Sequence, residues 1–164
     1  MGADNQQERL EPHWIVGFAD GEGCFHVSIN RMKKMSLGWQ VLPEFRIVQH
    51  GKEEELLHKI KHYFQFGEIK INRTDKHGTR KELRVRGLDN LIKLINFFKQ
   101  YPLQTTSKRK NFELFVSIIK MMEKKEHLTK DGIDKIARIV ETMNRQPKIK
   151  YLESSETIRQ TSQM

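Results

Sequence analysis

The stretch WIVGFADGEGCFHVSI, residues 14–29, changes its character twice and decides how the chain is organised. It begins as an apolar segment just after Pro12, and proline suits a first helical turn, so we predict a helix over 12–21. That helix ends on two carboxylates two residues apart, Asp20 and Glu22, where the helix dipole disfavours negative charge. A helix with a purely structural role more often ends in a basic residue, so the two acids indicate a site.

After these acids the sequence alternates between apolar and polar residues, which is typical of a strand with one buried face. The alternation predicts a strand over 24–33, the basic hairpin loop RMKKMSLG, and a second strand over 40–48. Pro43 lies inside the second strand, where we expect a bulge or a locally unpaired position. Further along we predict a helix over 52–64, followed by two strands over 66–74 and 80–87 that are joined by the turn DKHG. Three amphipathic helices are predicted over 88–100, 108–125 and 130–144.

This order of elements predicts an α+β fold with an αββαββα core, in which helices cover one side of an antiparallel sheet and further helices follow. At 164 residues the chain is long enough for a single domain with its own core. We assign residues 12–125 to that core, 130–144 to a C-terminal helix, and 145–164 to a polar tail that is partly disordered beyond Leu152. The apolar residues Ile69 and Ile71, like Leu83 and Val85, are predicted to face the core.

Composition narrows the class of partner. Lysine and arginine number 30 against 21 acidic residues, which gives a net charge of +9 and favours nucleic acid or an anionic membrane surface. No apolar run approaches the roughly 18 residues of a membrane span, and the first residues lack a signal-peptide pattern. The single cysteine, Cys24, excludes an internal disulfide and a cysteine-based zinc cluster. We therefore expect an intracellular protein that binds nucleic acid.

The predicted sheet has one side without helices, and the side chains there are polar and often cationic. Such a face fits a DNA groove in size and chemistry, whereas an ordinary solvated sheet face is the alternative interpretation. Readers of single-stranded RNA usually display aromatic residues on the sheet, and this face has almost none. The candidate DNA-contacting residues are Ser28, Asn30, Gln40, Glu44, Arg46, Lys70, Asn72, Arg80, Arg84 and Arg86 on the sheet, with Lys33 and Lys34 in the basic loop.

The segment IVGFADGEG, residues 15–23, resembles the nine-residue signature of the LAGLIDADG homing endonucleases. Gly17, Asp20, Glu22 and Gly23 match it at positions three, six, eight and nine. The order of elements over about 12–125 is also similar to the core of that family, and PLQTTSKRKNFELF resembles the start of its last core helix. The resemblance implies a metal-dependent endonuclease that cuts both strands of a long, nearly palindromic DNA site and thereby promotes intron mobility.

The resemblance also implies roles for the motif residues. The acid at position eight binds the metal in this family, which points to Glu22, although aspartate is more frequent there. The backbone carbonyl of Gly21 is a plausible additional ligand, and Asp20 resembles a structural residue that caps or bonds near the helix end. The implied cofactor is Mg²⁺, with Mn²⁺ able to substitute, because oxygen ligands and phosphate suit these ions.

Two further active-site residues follow from the resemblance. FRIVQHGKEE is similar to the strand in which single-motif relatives place a glutamine near the reactive water, which points to Gln49; an ordinary glutamine at a strand end is the alternative. The family also places a basic residue near the scissile phosphate at the start of the last core helix, which points to Lys108. Arg109 and Lys110 remain rivals, because relatives often have a lysine one or two residues earlier.

The glycines of the motif predict how the chain assembles. Gly17 and Gly21 lie four residues apart on one helix face without side chains, so a second helix backbone can approach closely. Because the sequence holds one copy of the motif, the second helix is expected from an identical chain, in a homodimer. A twofold axis would bring two copies of Glu22 together beside phosphates, and a divalent cation between them would relieve the repulsion.

Other interpretations of the sequence remain open. A binding protein of the same fold, acting as an intron RNA maturase or a DNA-binding regulator, is the main rival, although a pure binder gains nothing from paired acids beside phosphates. His58 and His62 lie four apart on a helix but have no third ligand nearby, so we interpret them as a surface pair. We expect no membrane partner, no small-molecule substrate, and a location in a prokaryotic cytoplasm or an organelle.

Overall fold

The computed structural model describes residues 9–143 and 149–153. Within these residues the predicted order of helices and strands is confirmed, and short 3₁₀ turns lie at Gly51–Glu53 and Glu126–Leu128. The elements are α1 (Pro12–Glu22), β1 (Gly23–Arg31), β2 (Trp39–His50), α2 (Glu54–Phe64), β3 (Glu68–Asp75), β4 (Gly78–Val85), α3 (Leu88–Gln100), α4 (Thr106–Glu123) and α5 (Lys130–Thr142).

The strands form a four-stranded antiparallel sheet in the order β1-β2-β4-β3, which confirms the predicted α+β class. β2 continues as a strand through Pro43. The bulge that the β3–β4 register shows lies between Ile71 and Arg73. β3 is an edge strand, and its residues are half-buried or exposed along its length.

The chain groups into two compact units, each with its own apolar core. Unit 1 consists of residues 9–24 and Phe45–Thr105, and it contains α1, the second half of β2, α2, β3, β4 and α3. Phe45 from β2 packs against Phe98 from α3, with ring centroids 5.7 Å apart. The ammonium group of Lys81 on β4 lies 3.3 Å from the carboxylate of Glu54 on α2, which identifies the sheet side that α2 covers.

Unit 2 consists of Phe25–Glu44, 106–143 and 149–153, and it joins the β1–β2 hairpin to α4 and α5. The ring of Phe25 lies 5.3 Å from the rings of both Phe112 and Phe115, so β1 packs on α4. The Thr129 hydroxyl caps α5 by accepting a hydrogen bond from the Gly132 N–H at 3.1 Å.

Part of the predicted polar tail is packed. Ile149 and Tyr151 are buried, the Tyr151 hydroxyl donates to the Asp134 carboxylate, and its ring meets the Trp39 ring edge-on at 5.1 Å. The prediction of a polar tail over 145–164, with disorder only beyond Leu152, did not include these two buried side chains, which complete the core of unit 2. The remaining tail residues, 145–148 and 154–164, lie outside the described residues.

Two predictions about side-chain burial are wrong. Ile71 is 58% exposed instead of core-facing, because β3 is the edge strand and the core of unit 1 covers only its beginning. Glu44 is 4% exposed, so it is too enclosed to be one of the exposed contacts that the alternation predicts. The core positions Leu83 and Val85 are buried as expected.

Candidate active site and nucleic-acid interface

The end of α1 presents an exposed acidic side chain. Gly21 and Glu22 are both exposed, and the last turn of α1 contains no basic residue. Across residues 9–143 and 149–153, the Glu22 carboxylate has no hydrogen-bond or ion-pair partner. A carboxylate at a helix C-terminus is electrostatically unfavourable, so the fold leaves Glu22 available for a cation from outside this chain.

The second acid of the motif has a different environment. The Asp20 carboxylate accepts hydrogen bonds from the backbone N–H of Gln104 at 2.7 Å, the backbone N–H of Thr105 at 3.2 Å and the Thr105 hydroxyl at 3.0 Å. Gln104 and Thr105 directly precede the first residue of α4. Asp20 therefore fixes a distant segment of unit 1 to the end of α1, as expected of a structural residue.

Gly23, at the junction of α1 and β1, occupies a position with no space for a side chain. A Cβ atom at Gly23 would lie 2.7 Å from the backbone oxygen of Ala19 and 3.0 Å from the ring of Phe45. The Gly23 N–H also closes the helix by donating to the same Ala19 oxygen. Sequence reasoning missed this steric role, although the closing glycine of the motif was the available signal.

The exposed face of α1 has open space where a second helix could lie. A Cβ atom at Gly17 or at Gly21 would meet nothing within 4 Å in the described part of this chain. Trp14 is 43% exposed on this helix, and its ring stacks on that of Phe18 at 5.1 Å. The face thus combines accessible aromatic surface with two positions that lack side chains.

The two remaining active-site candidates lie in different units. Gln49 is half-buried near the end of β2 in unit 1, paired with Lys81 of β4, and it shares the helix-covered side of the sheet with Ile47. Lys108 is half-buried in the first turn of α4 in unit 2, where its rivals Arg109 and Lys110 are exposed. Unit 1 therefore contains Gly21, Glu22 and Gln49.

The register aligns the predicted cationic residues of unit 1 on one side of the sheet. Arg46 pairs with Arg84, and Arg84 also pairs with Glu68 on β3. The intervening residues Ile47 and Leu83 are fully buried on the other side, so the charged residues point away from the core of this unit. Lys70, which pairs with Glu82, and Arg80 lie on the same side of the sheet. Asn72 at the bulge also lies on this side, because its amide donates to Glu82, and Arg86 follows the end of β4.

In unit 2 the predicted contact residues lie on the β1–β2 hairpin. The Asn30 amide donates to the Ser28 hydroxyl at 3.1 Å, so these two polar side chains share one face of β1. Lys33 and Lys34 are exposed in the loop between the strands, and Gln40 is half-buried at the start of β2. The loop is closed by the Met32 N–H, which donates to the Gly38 carbonyl at 2.8 Å.

Comparisons with known proteins agree with this geometry. A family model described as LAGLIDADG endonuclease matches residues 15–119. The chain belongs to this family. A probable intron-encoded endonuclease 3 of Neurospora crassa is 31% identical over 140 residues, which are 85% of this chain and 26% of that protein. The resemblance predicted from the motif is therefore confirmed, and the chain spans about a quarter of this curated relative.

Solved LAGLIDADG structures show the same fold. The homing endonuclease I-TnaI has 46% sequence identity and a TM-score of 0.77, and the match covers 82% of this chain and 88% of that chain. The LAGLIDADG meganuclease I-CpaMI, bound to uncleaved DNA, has 32% identity and a TM-score of 0.81, and the match covers 89% of this chain but 48% of that chain. The present chain is thus comparable to one half of I-CpaMI and to nearly all of I-TnaI.

The end of α1 offers oxygen atoms of the kind that bind divalent cations. Among the described residues, no group of three or more His, Cys, Asp or Glu side chains could hold a metal ion, and this includes His58 and His62. The unpaired Glu22 carboxylate and the exposed Gly21 backbone offer oxygen ligands, which magnesium prefers. An ion held at this helix end would need further ligands from another chain, from DNA or from water.

Among the described residues, none of the helices combines the length and the hydropathy that a transmembrane segment requires.

Two acidic residues, Glu68 and Glu82, form ion pairs with cationic residues on the cationic face of the sheet. Glu68 lies 3.1 Å from the ammonium group of Lys70, whose hydrogen bond and positive charge hold the Glu68 pKa below its usual value. Glu82 is fully buried, accepts a hydrogen bond from the Asn72 amide at 2.8 Å and forms an ion pair with Arg84. Sequence reasoning missed Glu82 as part of the site, although its strand parity in RKELRVR matches that of Arg84.

We expect Gly23→Ala to destabilise the fold by roughly 1–3 kcal/mol, because the added methyl group overlaps a backbone oxygen that cannot move aside easily. Urea unfolding measures this effect. Gly21→Ala is the matched control, because its methyl group enters open space and the folding free energy of the chain should not decrease. Equal stability of both variants would contradict this role for Gly23.

Proposed function

We propose that the chain is a site-specific homing endonuclease that pairs with a second copy of itself and hydrolyses both strands of duplex DNA. The observation that carries this proposal is the exposed Glu22, which has no partner among residues 9–143 and 149–153, at the end of a helix whose neighbouring face is open to these residues at Gly17 and Gly21. A helix pair across that face would place two such carboxylates side by side, and paired carboxylates suit cations beside a phosphate.

We propose Mg²⁺ as the cofactor, with Mn²⁺ as a substitute, held by the Glu22 carboxylate and the Gly21 carbonyl. When bound, such an ion lowers the pKa of water and offsets phosphate charge. The Gln49 amide can donate and accept hydrogen bonds and would orient the attacking water. The cation of Lys108 would offset charge that develops on the phosphate. The proton of the water would pass to bulk solvent, so no side chain need act as a formal general base.

The single motif of this chain supports the homodimer. The match covers 48% of the I-CpaMI chain, which is therefore long enough to contain a second unit of this size. The match covers 88% of the I-TnaI chain, which leaves too few residues for a second unit. Each chain would bind one half of a long, nearly palindromic site through its sheet. The names of the relatives refer to intron-encoded endonucleases, which supports a role in intron mobility. The location that we propose is a prokaryotic cytoplasm or an organelle.

A selection from a randomised duplex library tests this function. We expect the protein to enrich one family of nearly palindromic sequences in Ca²⁺ and to cut the same sequences in Mg²⁺ or Mn²⁺. Enrichment without cutting in any of these ions would replace the proposal with a DNA-binding regulator. Preference for structured intron RNA over every enriched duplex would favour the maturase.

The sheet face and the basic loop are expected to contribute differently to DNA binding. Arg46→Ala should cost roughly 1–3 kcal/mol at one base pair and relax the preference there, because a guanidinium can bridge guanine O6 and N7. Lys33→Ala should weaken binding to all sequences about equally and reduce the salt slope by about one unit, as expected of a phosphate contact. Selections on randomised half-sites at several salt concentrations measure both effects. Unchanged preferences in Arg46→Ala would show that Arg46 does not read bases.

A further inference from the structure

The most enclosed charge on the predicted DNA-binding face is an acid. Glu82 lies on β4 between Lys81 and Leu83, and its strand parity directs it to the face that carries Arg84. Its side chain is nonetheless fully buried, so it cannot reach a DNA base or phosphate. Burial of a carboxylate is costly unless it is paired and hydrogen-bonded.

Both oxygens of Glu82 are engaged by residues predicted to contact DNA. One oxygen accepts a hydrogen bond from the Asn72 amide at 2.8 Å, and the other forms the ion pair with Arg84. Asn72 belongs to β3 and Arg84 to β4, so a single carboxylate fixes side chains from two strands. The Arg84 side chain is 18% exposed, which leaves it accessible at the surface while Glu82 lies beneath.

We infer that Glu82 is a positioning residue for base recognition: it holds the Arg84 guanidinium and the Asn72 amide in fixed orientations and so sets sequence preference without touching DNA. This inference rests on the proposed DNA-binding function of the sheet. A guanidinium has five N–H donors in a rigid planar fork, so an ion pair at one of its nitrogens constrains the orientation of the whole group. Orientation before binding lowers the entropy lost when the side chain meets a base.

Replacement of Glu82 by Gln tests this role at nearly constant volume. A neutral amide has no charge for the ion pair with Arg84 and only one acceptor oxygen, so it cannot reproduce the contacts that the two carboxylate oxygens make with Asn72 and Arg84. Selection from a randomised duplex library should show at least a fivefold loss of preference, on the order of one good bidentate contact, at the base pair that Arg84→Ala also affects. The double variant should lose no more preference there than Arg84→Ala alone. Binding to non-cognate DNA should strengthen, with a salt slope steeper by about one unit.

Glu68→Gln is the matched control, because it removes the same charge from the same face but leaves Asn72 and Glu82 together. It should steepen the salt slope in the same way and leave the preference at the base pair that Arg84→Ala affects intact. Glu82→Asp keeps the charge but shortens the side chain, so it should lose preference without a change in salt slope. This variant also decides the question if Glu82→Gln unfolds.

The outcomes separate this inference from the proposed function. If the wild-type protein shows no sequence-specific DNA binding, the proposed function fails and the role of Glu82 fails with it. If the wild type is specific and both Glu82 variants keep its base preferences, only the positioning role is overturned. An equal loss of binding to cognate and non-cognate DNA would also overturn it, because that result indicates a purely structural residue.

Discussion

Replacement of Glu22 by Gln is expected to reduce DNA cleavage by a factor of about a thousand or more, while sequence-specific binding persists. The amide has the size of the carboxylate but lacks its charge, so it is a poor ligand for a divalent cation. Glu22 is exposed and unpartnered across the described residues, so the substitution breaks no contact there that stabilises the fold. Binding should even strengthen, because an acid that repels the phosphates is removed.

The measurement compares cleavage in Mg²⁺ with binding in Ca²⁺ for the wild type and the variant. Glu11→Gln is the matched control, since it removes the same charge just before the other end of α1. That control should cleave like the wild type. Glu22→Gln that cuts at wild-type rates would show that the metal is held elsewhere.

Replacement of Gly17 by Leu is expected to abolish dimer formation and, with it, cutting of both strands. The new side chain would fill the space through which a second helix must approach. It should not harm the isolated chain, because nothing lies within 4 Å of the added Cβ and leucine favours helix over glycine by nearly 1 kcal/mol. Stability and assembly should therefore change independently.

Sedimentation should give the wild type a mass near twice 19.5 kDa and the variant a mass near 19.5 kDa. Asn96→Leu is the control, because it adds the same side chain to an exposed position of α3. It should remain a dimer. A wild-type monomer that still cuts both strands would exclude the homodimer.

The motif stretch predicts much of the fold because its signals are local. Proline starts α1, the acids and glycines end it, and the alternation of Phe25, Val27 and Ile29 predicts β1 with its buried face. Composition and strand parity likewise predict a cationic face opposite the helices. These features depend on residues that are close together in the sequence, so one amino-acid sequence is sufficient to predict them.

The remaining details depend on contacts between distant residues. The bonds of Asp20 to residues more than eighty positions away, at Gln104 and Thr105, have no local signal. Strand order decides that Ile71 is exposed, since a pattern of alternation does not reveal which strand lies at an edge. The burial of Glu82 depends on side chains that arrive from two strands, so parity alone predicts its side of the sheet and not its enclosure.

Mapping both cleavage positions at single-nucleotide resolution, on the DNA site that the protein selects, tests paired hydrolysis by two copies of this chain. We expect one cut in each strand in Mg²⁺, symmetric about the centre of the site and staggered across the minor groove, with binding but no cuts in Ca²⁺. Specific binding without any cut in Mg²⁺ or Mn²⁺, or cuts scattered without symmetry about that centre, would contradict this expectation.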